Sequence, residues 1–399
     1  MAPSAKLWLT FAAAMLLASC GGSTAPAPGA SAGSAGAATA AKPAGSAAPE
    51  TAAQPSTGSA AWDDVLAAAK REGRVVVSGQ AAPGADEGFV AAFKRQYPDV
   101  EVEYLGMTSS EAATKHMTER QAGRFTVDLF IHGTPDILST FMPAGAVDPI
   151  QPFLTGPDIQ DQSKWLGGKL NFADDAGRYD LIFTGGVKVP LFFNPKSVSA
   201  SQFTSYKDLL DPKWKGKIAM FDPRVAGSGN GMVTFWYRTP SLGKDFIKQL
   251  LTQQNVAFTK DDRQLADWVA RGEYPLGVGA SDFTGFDLKS KGVPIEPLAP
   301  DALKETSYLT AGFGSVAVMN RAPHPNATRV YLNWLLSKET QGNLTKVTAF
   351  PSRRLDASTA GLPDLVVAKQ GLHYQDSASE ATAKVKTEVL DFLKTVLPS

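Results

Sequence analysis

Apolar positions after residue 60 switch repeatedly between helical and strand periods. Trp62, Val65, Leu66 and Ala69 recur at helical spacing and stop at Gly73, and Arg74-Val75-Val76-Val77-Ser78 follows as a short continuous apolar run. The spacing predicts a helix and then a buried strand. Phe89, Phe93 and Tyr97 mark a second helix ending at Pro98, the alternation over 100–104 predicts a strand, and Ser109 opens a third helix running to Gly123. Asp128-Leu129-Phe130-Ile131 reads as another short strand. Thr134-Pro135 after it places a capping hydroxyl before a proline in the first helical position.

A long extended stretch over 179–194 is interrupted by Gly185-Gly186, which predicts a strand that passes between two lobes and bends there. A second set of units follows: a helix over 205–210, a strand over 217–221, helices over 244–254 and 264–271, and a strand over 276–280. Residues 314–320 are extended, 326–347 read as one long amphipathic helix, and 380–396 as a terminal one. This alternation implies an α/β fold with largely parallel sheets covered by helices. Ligands bind such sheets beyond the carboxyl ends of the strands, which directs attention to 78–80 and 132–134.

The N-terminus has a different character. One positive charge at Lys6, an apolar stretch over 7–17 and small residues ending at Cys20 have the layout of a secretory signal. No later run approaches the roughly 18 apolar residues a membrane span needs. Residues 21–60 are almost entirely Ala, Gly, Ser, Pro and Thr, which cannot bury enough apolar surface to offset the entropy of ordering, so 20–60 is expected to be a tether. Leu17-Ala18-Ser19-Cys20 resembles the bacterial lipobox, which implies cleavage after residue 19 and lipidation of Cys20. Cys20 is the chain's only cysteine, so a disulfide within one chain is excluded.

Composition narrows the function. Lys plus Arg and Asp plus Glu are both 39, and no basic run carries interleaved aromatics, so nucleic-acid binding is not expected. The four histidines, His116, His132, His324 and His373, show neither HExxH spacing nor a zinc-type pair, and no nucleophile-elbow or P-loop motif is present. No catalytic constellation, cofactor or resident metal is expected.

The run Asp208-Leu209-Leu210-Asp211-Pro212-Lys213-Trp214-Lys215-Gly216-Lys217-Ile218 with Asp222-Pro223 resembles the iron(III)-type extracellular solute-binding proteins of ABC importers. Ala322-Pro323-His324-Pro325-Asn326-Ala327, Asn333-Trp334-Leu335-Leu336-Ser337 and the opening Glu72-Gly73-Arg74-Val75-Val76-Val77 carry the same resemblance. It implies a type II periplasmic-binding-protein fold: two α/β lobes joined by crossing strands, with a ligand cleft between them. Lobe one is expected over 61–187 and 298–347, and lobe two over 188–297 and 348–399. The implied protein is an exported monomer, lipid-anchored to the outer face of the cell membrane or in the periplasm. It would close on a small-molecule solute and deliver it to an ABC permease.

Ferric-binding members characteristically carry a Tyr-Tyr pair after a lobe-two strand. The matching place here reads Ala280-Ser281-Asp282-Phe283, which shifts the expectation toward an anionic or organic solute. A ferric or other metal-ion receptor with a synergistic anion, and a surface lipoprotein binding a protein partner, stay open. The loop from Asp222 and Arg224 to Ser228 and Gly229 appears before a helix expected near Met232, and is the leading anion anchor. Arg224 is suited to a carboxylate or phosphonate, with Arg353 and Arg354 as further candidates. Gln80, Thr134, Ser281 and Asp282 complete the candidate set; capping is the competing role for Thr134, Ser281 and Asp282.

Overall fold

The computed structural model describes residues 59–397 apart from Pro83 and Phe313. The expected signal segment, Cys20 and nearly all of the tether lie outside the described residues. The first stretch of chain runs α1 (Ser59–Glu72), β1 (Arg74–Gln80), α2 (Ala92–Gln96), β2 (Glu101–Met107), α3 (Ser109–Gln121), β3 (Leu129–His132), α4 (Thr134–Asp136), β4 (Val147–Asp148), α5 (Pro157–Gln160) and β5 (Leu181–Ile182). The middle runs β6 (Leu191–Phe193), β7 (Ile218–Phe221), α6 (Ser228–Arg238), α7 (Gly243–Gln253), β8 (Ala257–Thr259), α8 (Asp262–Arg271), β9 (Leu276–Val278), α9 (Asp282–Ser290) and β10 (Glu296–Pro297). The chain then adds β11 (Tyr308–Leu309), β12 (Ser315–Met319), α10 (Pro325–Leu335), α11 (Lys338–Thr348), β13 (Gln375–Asp376) and α12 (Glu380–Val396).

Two sheets result. In the first, the order is β2-β1-β3-β12-β4, with β5 also paired to β12; in the second it is β10-β6-β9-β7-β8. β1 pairs in parallel with β2 and β3, and β7 with β8 and β9, while β12 and β6 run antiparallel to their partners. Each antiparallel strand is the one the chain forms on arriving from the other lobe. The doubly buried character of β1 explains its unbroken apolar run: Val75 and Val77 face the core beneath α1 and α10, and Val76 faces Ala112, Ala113 and Phe130. In the second sheet Ile218, Met220 and Val278 pack with Met232, Val233 and Trp236 of α6.

The lobes are joined by crossing segments that pair with one another. Lys188 N donates to the Tyr308 carbonyl and Thr310 N to the Gly186 carbonyl, while β11 lies parallel to β13. Gly185 has φ +149°, and a Cβ there would stand 2.1 Å from the Thr310 carbonyl oxygen, so only glycine lets the crossing segments approach this closely. Arg353 fastens all three. Its Nε donates to Thr184 O (3.3 Å), its Nη2 to Thr310 O (3.0 Å), and its Nη1 is ion-paired with Asp376.

Three expectations are revised. The stretch 326–347 is two helices, because Ser337 caps a new helix through Thr340 N and breaks the run. Leu298, Leu303 and Tyr308 belong to the second core, so the chain rejoins lobe one after Leu309 and not at 298. The helix expected near Met232 begins at Ser228. Among the described residues no helix is long and apolar enough to cross a membrane.

Candidate functional site

The start of α6 decides the site's chemistry. Its N-cap is Gly227 at φ 143°, which offers no side-chain cap, and the first internal bond at this end runs from Gly231 N to Gly227 O. The N–H groups of Ser228, Gly229 and Asn230 are therefore left for an outside acceptor, at the positive end of the helix dipole. By contrast α3, α8, α11 and α12 are capped by Thr108, Asp261, Ser337 and Ser379. The small side chains are a packing requirement: a Cβ on Gly229 would stand 2.0 Å from the Phe221 carbonyl oxygen, and one on Gly279 3.0 Å from Gly229 N. The helix thus begins directly against the ends of β7 and β9.

Ser228 and Asn230 line a cleft of about 540 Å³, together with Arg224, Tyr308, Arg238 and Lys386. Tyr308 is 5% exposed, and its hydroxyl has no hydrogen-bond partner among the described residues. That hydroxyl lies against Gly231, where a Cβ would come within 2.7 Å of it. Burial, then the neighbouring Asp282, pushes the phenol far above its ordinary value, so it stays a neutral donor.

The other sequence candidates are placed less directly. Arg224 is not a free guanidinium: its Nε and Nη2 hold the two carboxylate oxygens of Asp222 at 2.9 Å each. Burial raises the Asp222 carboxyl, but the Arg224 guanidinium and N–H outweigh it, and the net shift is downward. Asp282 is not free either. It is paired with the buried Lys188 (2.6 Å), which also donates to Ala280 O, and burial leaves its carboxyl raised despite that partner. Ser281 precedes α9 without a side-chain cap. Thr134 does not cap α4, whose N-cap is Gly133; its hydroxyl donates to Ala378 O, next to Ser377 of the cleft. Gln80 ends β1, its carbonyl accepting the Tyr104 hydroxyl, and neither it nor Thr134 lines the cleft.

Arg353 and Arg354 are structural. Arg354 is almost wholly buried, bidentate to Asp158 (2.5 and 2.7 Å) and bonded to Asp356 and Leu336 O. The sequence reading missed Tyr308, Arg238 and Lys386. Tyr308 and Lys386 reach the cleft through segments distant in sequence, and Arg238 shares a helical face with Ser228 only because α6 starts earlier than expected.

Beneath the lobe-one end of the hinge, His132 is fully buried, with Nε2 3.2 Å from Ser78 Oγ and Nδ1 unpartnered among the described residues. Burial, then His116, depresses its pKa to about 4. Its neutral form is the folded form, so its contribution to stability is complete above the ordinary value near 6.5 and is lost as pH falls toward 4. The loss amounts to about 3 kcal/mol. Chemical denaturation at pH 7 and pH 4.5 is expected to show this loss, and His132→Phe to reduce it; an equal loss in the variant would assign it to other groups.

Residues 78–342, more than half of the chain, match the family described as bacterial extracellular solute-binding protein. The chain belongs to this family. Its fold is the type II periplasmic-binding-protein fold, as in similar solved structures. The Actinobacillus pleuropneumoniae periplasmic binding protein AfuA, with fructose-6-phosphate bound, is 20% identical, with a TM-score of 0.53 over 81% of this chain and 98% of that one. Trichodesmium IdiA (FutA), in complex with iron and citrate, is 16% identical, with a TM-score of 0.59 over 82% and 100%. A putative extracellular solute-binding protein of Bordetella parapertussis is 13% identical, with a TM-score of 0.63 over 82% and 99%. An uncharacterised Haemophilus influenzae protein is 32% identical over 141 residues, a match spanning 34% of this chain and 38% of that relative.

Proposed function

We propose that this chain is the solute-capturing receptor of an ABC-type importer, that its solute is a small organic anion, and that the anion is held by the uncapped N-terminus of α6. The observation that carries the reading is the convergence of the uncapped start of α6, at Ser228 and Asn230, with the unpartnered hydroxyl of the buried Tyr308 on one cleft. The ligand sits beside the crossing segments and stabilises the closed arrangement of the lobes by its higher affinity for it. The protein is a binding component and not an enzyme. It is exported, acts as a monomer beside a membrane permease, and is held at the membrane through lipid on Cys20.

A thermal-shift panel tests this, because a ligand that binds only the folded state raises the melting temperature by mass action. The panel contains sugar phosphates, phosphonates, carboxylates, ferric citrate, neutral sugars and polyamines. A rise confined to anions supports the reading. A rise with polyamines or neutral sugars contradicts it, and a visible charge-transfer band with ferric salt would assign the site to a metal instead.

A further inference from the structure

The cleft continues beyond the anion anchor. Ser228, Gly231, Thr234, Phe235 and Arg238 all line it, at helical spacing along one face of α6 from its first residue to its last. Ten steps of 1.5 Å make this face about 15 Å long. Helical side chains lean toward the N-terminus, so the Arg238 guanidinium stands closer than this length to the free N–H groups. Thr382, Lys386 and Leu390 of α12 form the opposite wall at the same one-turn spacing.

The far end of this groove carries unspent positive charge. Arg238 uses only Nη1, for Asp376 O and Thr382 Oγ1; its Nε and Nη2 have no partner among the described residues, and no carboxylate is ion-paired with it there. Lys386 is exposed and likewise has no carboxylate partner among the described residues. The other charged groups lining the cleft are neutralised: Arg224 by Asp222, and Asp376 by Arg353. Arg238 feels only the Asp376 carboxylate, which Arg353 already holds, and Lys386 has no carboxylate partner among the described residues, so positive charge is in excess at the end of the cleft away from the uncapped helix N-terminus. A half-buried guanidinium with two free, adjacent donors is the fork that grips a carboxylate or phosphate through two oxygens.

We infer that the solute is an elongated organic anion negatively charged at both ends, one end on the N–H groups of Ser228, Gly229 and Asn230 and the other on Arg238 and Lys386. The inference rests on the proposed anion anchor and deepens it by naming the second anionic group. The apolar edge of Phe235 and the exposed Leu390 between the ends suit the carbon body joining them.

Calorimetric titration of the full chain at fixed ionic strength tests it, with fructose 1,6-bisphosphate against fructose 6-phosphate, and heptanedioate against hexanoate. The doubly charged probe of at least one pair is expected to bind at least tenfold more tightly, and the pair that shows it distinguishes phosphoryl from carboxyl ends. Arg238→Gln is expected to remove most of that ratio. Because Arg238 also braces α12, the exposed Lys386→Gln serves as the second variant and is expected to reduce the ratio severalfold without changing the melting temperature of the empty protein. Equal affinity within both pairs, or a ratio unchanged in both variants, overturns the second subsite while leaving the anchor standing. No binding of any probe overturns the anchor, and the second subsite with it.

Discussion

Replacing Arg353 by methionine is expected to destabilise the empty protein by about 3 kcal/mol and lower its melting midpoint by roughly 4 °C. Arg353 is 2% exposed and is bonded to all three segments that join the lobes: Thr184 O on the first crossing, Thr310 O on the second, and the Asp376 carboxylate on β13. Methionine keeps the apolar stem and removes every donor, so two carbonyls and a carboxylate lose their partner at once. A double-mutant cycle with Asp376→Asn separates the ion pair from the carbonyl bonds, and a coupling of about 1 kcal/mol or more is expected. A midpoint shift below about 2 °C for Arg353→Met would show that the crossing segments hold together without it.

The second large effect is on binding. Ser228→Glu is expected to abolish anion binding, with a loss of at least a hundredfold, while leaving the empty protein as stable or slightly more so. An acidic side chain in the first turn interacts favourably with the unbonded N–H groups and the helix dipole, by about 0.3–1 kcal/mol. The same carboxylate occupies and repels the position the proposed anion needs. Ser228→Ala removes only one hydroxyl donor and should weaken binding by roughly fivefold, corresponding to about 1 kcal/mol. Calorimetry with whichever anion raises the melting temperature reads both variants. Undiminished affinity in Ser228→Glu would place the anion elsewhere.

Much of the scaffold was legible because it rests on period and punctuation. The Val75-Val76-Val77 run reads as a buried strand and is one, and Gly185-Gly186 marks the crossing where the Thr310 carbonyl requires glycine. The break at Ser337 was missed because the apolar stripe continues across it and only the cap distinguishes two helices from one. The early start of α6 was missed because Ser228-Gly229-Asn230-Gly231 has poor helix propensity. The glycines are needed there because the Phe221 carbonyl and the Tyr308 hydroxyl leave no room for larger side chains at Gly229 and Gly231.

The site was half legible for a similar reason. The Gly-rich loop after β7 signalled close backbone approach, which Gly229 makes against the Phe221 carbonyl, although Ser228 and Gly229 stand in the first turn of α6 and not in the loop before it. Whether a charged residue is free or spent is a matter of its partners. Arg224 is spent on an aspartate two residues away, and Asp282 on a lysine 94 positions back. Tyr308 reaches the cleft only through the meeting of α6, α12 and β11, and nothing in its own neighbourhood announces it.

The central claim is that the solute's negative group rests on the α6 N-terminus, and backbone amide resonances test it most directly. Titrating the ¹⁵N-labelled protein with the anion that raises its melting temperature is predicted to shift the amide signals of Ser228, Gly229 and Asn230 most strongly and saturably, with the calorimetric affinity. Saturable binding that leaves those three amides unmoved would contradict the account.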